Sequence, residues 1–157
     1  MTYHQSTFNI REDLIPRLEG AAETLNMKRS RVVEALLVKF MDNTKGGEKS
    51  LEQLKYQIIK KGVKSKKMGI FWRRDVYERS LDVRKVFKIS VSYAIAVSIE
   101  RYLDELIKEI QHIESKGGAY NYNTFYFINA DYHSNSFVYT TIWNNPGDEI
   151  LWKVTNL

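Results

Sequence analysis

Thr7-Phe8-Asn9-Ile10-Arg11 decides how the rest of this chain is read. Large apolar side chains alternate with polar ones, the two-residue period of a strand with one buried and one solvated face. Asp13 is placed to cap a following helix in which Leu14, Leu18, Ala21 and Leu25 recur every three or four residues and so share one face. Pro16 falls in its first turn, where a missing N–H is harmless. After a turn over residues 26–29, Ser30 stands as the N-cap of a second helix carrying Val33, Leu36, Leu37 and Phe40 on one side, with Glu34 as a surface charge near its first turn. The unit is therefore strand, helix, helix.

The unit recurs. Shifting the chain by 62 residues lays 6–43 over 68–105 without a gap, and Arg11/Arg73, Asp13/Asp75, Arg17/Arg79, Ser30/Ser92 and Asp42/Asp104 are identical. Phe8 and Ile10 fall on Ile70 and Trp72, Leu14 on Val76, Val33 on Ile95 and Leu37 on Ile99. Leu18 and Leu36 break the match, falling on Ser80 and Ser98. Ser92 is read as the cap of a long last helix with Ile95, Ile99, Leu103, Leu106 and Ile110, ended by Gly117-Gly118. The chain then divides into a first unit over 1–43, a basic linker over 44–67, a second unit over 68–118 and an aromatic-rich segment over 119–157. In the linker, residues 44–49 read as flexible, and Ser50-Leu51-Glu52-Gln53 has capping-box spacing for a short helix ending near Gly62. The last segment holds ten aromatics in 39 residues; residues 122–132, 137–143 and 150–154 read as three strands of a small antiparallel meander.

Charge is unevenly placed. Residues 1–118 hold 23 of the 24 Lys and Arg against 16 of the 19 Asp and Glu, whereas residues 119–157 are net acidic. Between Lys55 and Arg74 stand eight basic residues and no acid, which reads either as a solvated linker or as a surface for a polyanionic partner. The absence of cysteine excludes disulfide scaffolds, thiolate metal sites and cysteine nucleophiles, and suits a reducing cytoplasm. No apolar run reaches the roughly 18 residues of a membrane span, and the N-terminus lacks a secretory pattern, so a soluble cytoplasmic protein is expected. His4, His112 and His133 have no metal-ligand spacing, and there is no phosphate-cradling loop or nucleophile elbow. Neither catalysis nor a metal nor another cofactor is expected.

The duplicated strand-helix-helix pattern resembles the ribbon-helix-helix repressors of the Arc/MetJ type, over about half of the chain. The resemblance implies an α+β, mainly helical fold in which two units pair their strands into a ribbon that enters the major groove of double-stranded DNA. Because one chain carries two units, it implies an intramolecular pseudo-dimer reading an asymmetric site. Carried over, the base-reading residues are Thr7, Asn9 and Arg11 in the first copy and Phe71 and Arg73 in the second. Asn and Arg suit adenine and guanine. Phe71 is open to three readings: a wedge, a contact to a thymine methyl, or a covered side chain. Phosphate contacts fall on the start of each second helix, Lys28, Arg29, Ser30 and Arg31 in one copy and Ser90 and Ser92 in the other, with Lys66 and Lys67 ahead of the second strand. The expected function is sequence-specific DNA binding in transcription regulation, with residues 119–157 available to a protein partner or to self-association. Two alternatives remain open at this point: a protein-interaction module such as an antitoxin or assembly factor, and an RNA or single-strand binder.

Overall fold

A computed structural model describes residues 3–43, 48–50, 57, 61–118, 127–133, 136–142 and 149–155. Strand β1 (Tyr3–Arg11) runs through a 3-10 turn (Glu12–Leu14) into α1 (Ile15–Thr24), followed by α2 (Arg29–Asn43). Next come β2 (Glu48–Ser50), β3 (Ser65–Arg73), α3 (Arg74–Phe87) and α4 (Val91–Ser115). β4 (Phe127–His133), β5 (Ser136–Ile142) and β6 (Glu149–Thr155) complete the order. The fold is mixed α+β and mainly helical, with a two-stranded antiparallel sheet of β1 and β3.

The 62-residue period runs through the backbone. β1 and β3 start and end 62 residues apart, and so do the starts of α2 and α4. The left-handed residues of the two interhelical turns, Asn26 (φ 48°) and Lys88 (φ 53°), are also 62 apart. At the first turn Asn26 N–H donates to the carbonyl of Glu23 and Met27 N–H to that of Ala22, at 3.1 and 2.9 Å, the bond pair that closes a helix around a left-handed residue. Gly117 (φ 75°) and Gly118 close α4 in the same way, as their sequence predicts.

Both strands are nine residues long and begin before the expected boundaries, so Lys66 and Lys67 belong to β3 and not to a linker. The register sets Thr7 opposite Gly69, its own repeat counterpart, which puts a local two-fold axis between them. Even-numbered residues turn inward: Ile10, Met68, Ile70 and Trp72 are buried and Phe8 partly so. Phe8 meets Trp72 edge-on at 5.6 Å. The Trp72 indole N–H has no acceptor among the described residues, so packing alone holds that side chain. Beneath the ribbon, α2 and α4 pack on each other, and Val33, Leu37, Ile95 and Ile99 join the strands in one core. The breaks in the repeat are buried serines satisfied locally: Ser80 donates to the carbonyl of Tyr77 and Ser98 to that of Ala94, each at 2.6 Å.

Several expectations are corrected. Asp13 lies inside the 3-10 turn and binds Arg11, so it caps no helix. Ser90, not Ser92, caps α4, its hydroxyl accepting from Tyr93 N–H at 3.1 Å. Lys28 holds the matching place in α2, where its carbonyl accepts the first helical bonds, so Ser30 falls inside the helix. Glu34 is wholly buried rather than a surface charge. Glu48–Ser50 is a strand parallel to β6 where flexibility and a helix start were expected; most of the linker helix expected after Ser50 lies outside the described residues. β5 pairs antiparallel with β4 and with β6. Among the described residues, no helix is long and apolar enough to cross a membrane.

Candidate nucleic-acid interface

Strand alternation gives the ribbon an outer face of odd-numbered residues. On β1 these are Tyr3, Gln5, Thr7 and Asn9, all exposed; on β3, Lys67 and Phe71 are exposed and Gly69 partly so. Gln5 pairs with Phe71, Thr7 with Gly69 and Asn9 with Lys67. Of the expected base readers, Thr7, Asn9 and Phe71 lie on this face. Phe71 is 56% exposed, which excludes the covered reading. A Cβ on Gly69 would approach nothing closer than the Gln5 side-chain nitrogen at 3.9 Å, so the centre of the face is open.

Arg11 is not on this surface. It sits at the end of β1 where the chain turns into its 3-10 turn, and it is 7% exposed. Its guanidinium donates twice to Asp13, at 3.0 and 2.7 Å, and reaches Glu100 of α4 at 2.6 Å. The hydrogen bonds to Asp13 raise its pKa further above the ordinary arginine value against the opposing effect of burial, with Glu100 adding to the rise. Such a residue ties strand to helix and is not presented on the outer face. Arg73 ends β3 in the same way and is half-buried at the rim, opposite Tyr3. The outer window is thus 5, 7, 9 and 67, 69, 71, two residues earlier on each strand than expected. Gln5 is the residue missed; polar alternation through Gln5 and Thr7 was its available signal.

The two edges of the ribbon are held differently. On α2, Ser30 and Glu34 accept from the backbone N–H groups of Phe71 (3.1 Å) and Arg73 (2.5 Å). Four residues of helix rise about 6 Å and two residues of strand about 6.6 Å, so the i, i+4 pair meets the i, i+2 pair. On the β1 edge, Gln57 spans the equivalent residues but binds one N–H and one carbonyl, accepting from Arg11 N–H at 3.4 Å and donating to the Asn9 carbonyl at 3.3 Å. The counterparts of Ser30 and Glu34 are Ser92 and Ala96. Ala96 lacks a carboxylate, and it lines a half-open cavity of about 320 Å³ with Arg11, Gln57 and Glu100.

The expected phosphate contacts fall into three groups. Lys28 is exposed at the head of α2, and Lys66 and Lys67 are exposed on β3, Lys67 on the outer face and Lys66 beyond the core at the ribbon's end. Arg29 and Arg31 already meet acids, Glu19 and Glu34, both at 3.2 Å. Ser30 and Ser90 spend their hydroxyls on Phe71 N–H and Tyr93 N–H, while Ser92 is half-buried in the first turn of α4. In comparisons with known proteins, the chain matches no family model, no curated protein and no solved structure.

Proposed function

We propose that the protein binds double-stranded DNA sequence-specifically, as a cytoplasmic transcription regulator built from tandem ribbon-helix-helix units folded into an intramolecular pseudo-dimer. The observation that carries this reading is the face made jointly by the two copies, where Gln5, Thr7, Asn9 and Lys67 stand exposed on one two-stranded ribbon. A ribbon of this width fits the major groove, and these side chains match base-edge donors and acceptors. The first turn of α2 flanks the face through the Ser30–Phe71 bond. Its cap residue Lys28 is an exposed cation at the positive dipole end of α2, a place that suits a phosphate. Strands β4–β6 are an accessory meander that serves a protein partner or self-association.

Binding to duplexes drawn from a random pool, measured from 50 to 200 mM salt, tests the reading. If six to ten phosphates are contacted, affinity falls on the order of 10³–10⁵-fold over that range. Asn9→Ala relaxes base preference, whereas Lys28→Ala weakens every duplex alike. Absence of duplex binding at 50 mM salt overturns it.

A second reading has an observation of its own. Tyr3 and Phe71 are 57% and 56% exposed, an aromatic pair on the outer face at one end of the ribbon, which suits a protein-interaction module. It predicts a protein partner whose capture is lost on Phe71→Ser while duplex binding is nil.

A further inference from the structure

We infer that the ribbon reads a polar duplex site of two unlike halves: a guanine-containing half under Asn9 and Lys67, and an A·T half under Gln5 and Phe71. The inference rests on the DNA-binding reading above and adds the kind of sequence recognised.

Antiparallel pairing places one residue from each strand at each end of the face. Were the copies alike on this face, the two-fold axis between Thr7 and Gly69 would put the same pair at both ends and require a palindrome. They are not alike. Asn9 and Lys67 at one end supply an amide and an ammonium, groups that bond adenine and the O6/N7 edge of guanine. Gln5 and Phe71 at the other supply an amide for adenine and a 56% exposed ring suited to a thymine methyl. Gly69 removes any side chain from β3 at the centre, so only Thr7 reads there.

The difference can be erased without touching the core. Lys67→Gln, Gly69→Thr and Phe71→Asn together make β3 present the same outer triplet as β1, and a Cβ at position 69 meets no close neighbour. Sites are selected from a random duplex pool with the parent and the triple variant, after circular dichroism and thermal melts show matching folds. The parent is expected to select a non-palindromic site, with each half preferred on the order of tenfold or more over its inversion. The triple variant is expected to select a palindrome. Phe71→Ala and Lys67→Ala are expected to relax opposite halves.

A palindrome selected by the parent overturns the inference and leaves DNA binding standing. An unchanged site for the triple variant does the same, because the preference then arises elsewhere. Failure of the parent to retain any duplex overturns both readings. If the triple variant does not fold, Phe71→Ala and Lys67→Ala decide: relaxation of the same base pairs by both overturns the inference, and relaxation of opposite halves supports it.

Discussion

On the inner face of the ribbon, Phe8 and Ile10 are answered by Ile70 and Trp72, apolar for apolar. On the outer face Gln5, Thr7 and Asn9 are answered by Lys67, Gly69 and Phe71, with no type kept. Both inner sets press on one core with α2 and α4, and burial keeps these strand positions apolar even where the size changes, as from Ile10 to Trp72. The outer sets are free of that constraint. The edges show the same freedom: Ser30 and Glu34 hold β3, while Gln57 holds β1 where Ala96 replaces the carboxylate. Two copies thus share a core but not a surface, which is the physical basis for assigning them unequal tasks.

The largest test of the shared core is Trp72→Ala. It is expected to cost about 3–5 kcal/mol, the range for truncating a buried Trp. Urea unfolding of this variant followed by circular dichroism should remain one transition; separate transitions for the two copies would break the comparison. Glu34→Ala comes next. It removes the acceptor of the Arg73 N–H bond and the carboxylate that Arg31 meets at 3.2 Å, for a loss of about 1–3 kcal/mol in the same assay. Ser92→Ala, the counterpart of a Ser30 change, should stay within about 0.5 kcal/mol.

Arg11→Met separates holding from reading. Asp13 and Glu100 are partly solvated, so losing their partner should cost about 1–2 kcal/mol, less than for a fully buried pair. Base preference in duplex titrations should not change, whereas Asn9→Ala should change preference and barely move stability. At the interhelical turns, Lys88→Gly should stabilise by about 0.5–1 kcal/mol in thermal melts, because a lysine at φ 53° strains where glycine does not. Asn26→Gly should change little, since Asn tolerates that conformation.

The smallest effect is a pH dependence. Lys39 joins α2 to α4 through Glu105 (3.1 Å) and Glu109 (2.7 Å). Burial opposes its charge, but the bonds to Glu109 and then Glu105 outweigh it and raise its pKa above 10.5. A lysine whose folded pKa is raised contributes stability that is full below 10.5 and is lost as pH rises through the folded value. Because both glutamates are well exposed, the contribution should be a few tenths of a kcal/mol. Lys39→Gln should flatten unfolding midpoints measured between pH 9 and 12.

Much of the helical framework was legible in Leu14, Leu18, Val33, Leu37 and Ile99, because a buried stripe repeats with the helix period whatever it packs against. The ends of elements were less so. Serines at 30, 90 and 92 are equal candidates for caps by type, and only the backbone decides that Ser90 caps α4 while Ser30 serves β3. Arg11 follows the polar alternation of β1 and still misleads, since alternation assigns a face but cannot reveal Glu100, 89 residues away, closing over the strand's end. Glu34 reads as a surface charge for the same reason.

The 62-residue repeat, the inward and outward parity of each strand and the separation of a basic front from an aromatic end are properties of the order of residues alone, because period and composition are local. Which outer residues lie side by side is not local. Any pair 62 apart could have sat on the two-fold axis, and the choice of Thr7 and Gly69, with Gln5 beside Phe71 and Asn9 beside Lys67, is made where both strands settle onto α2 and α4 and their ends are sealed by Arg11 and Glu34.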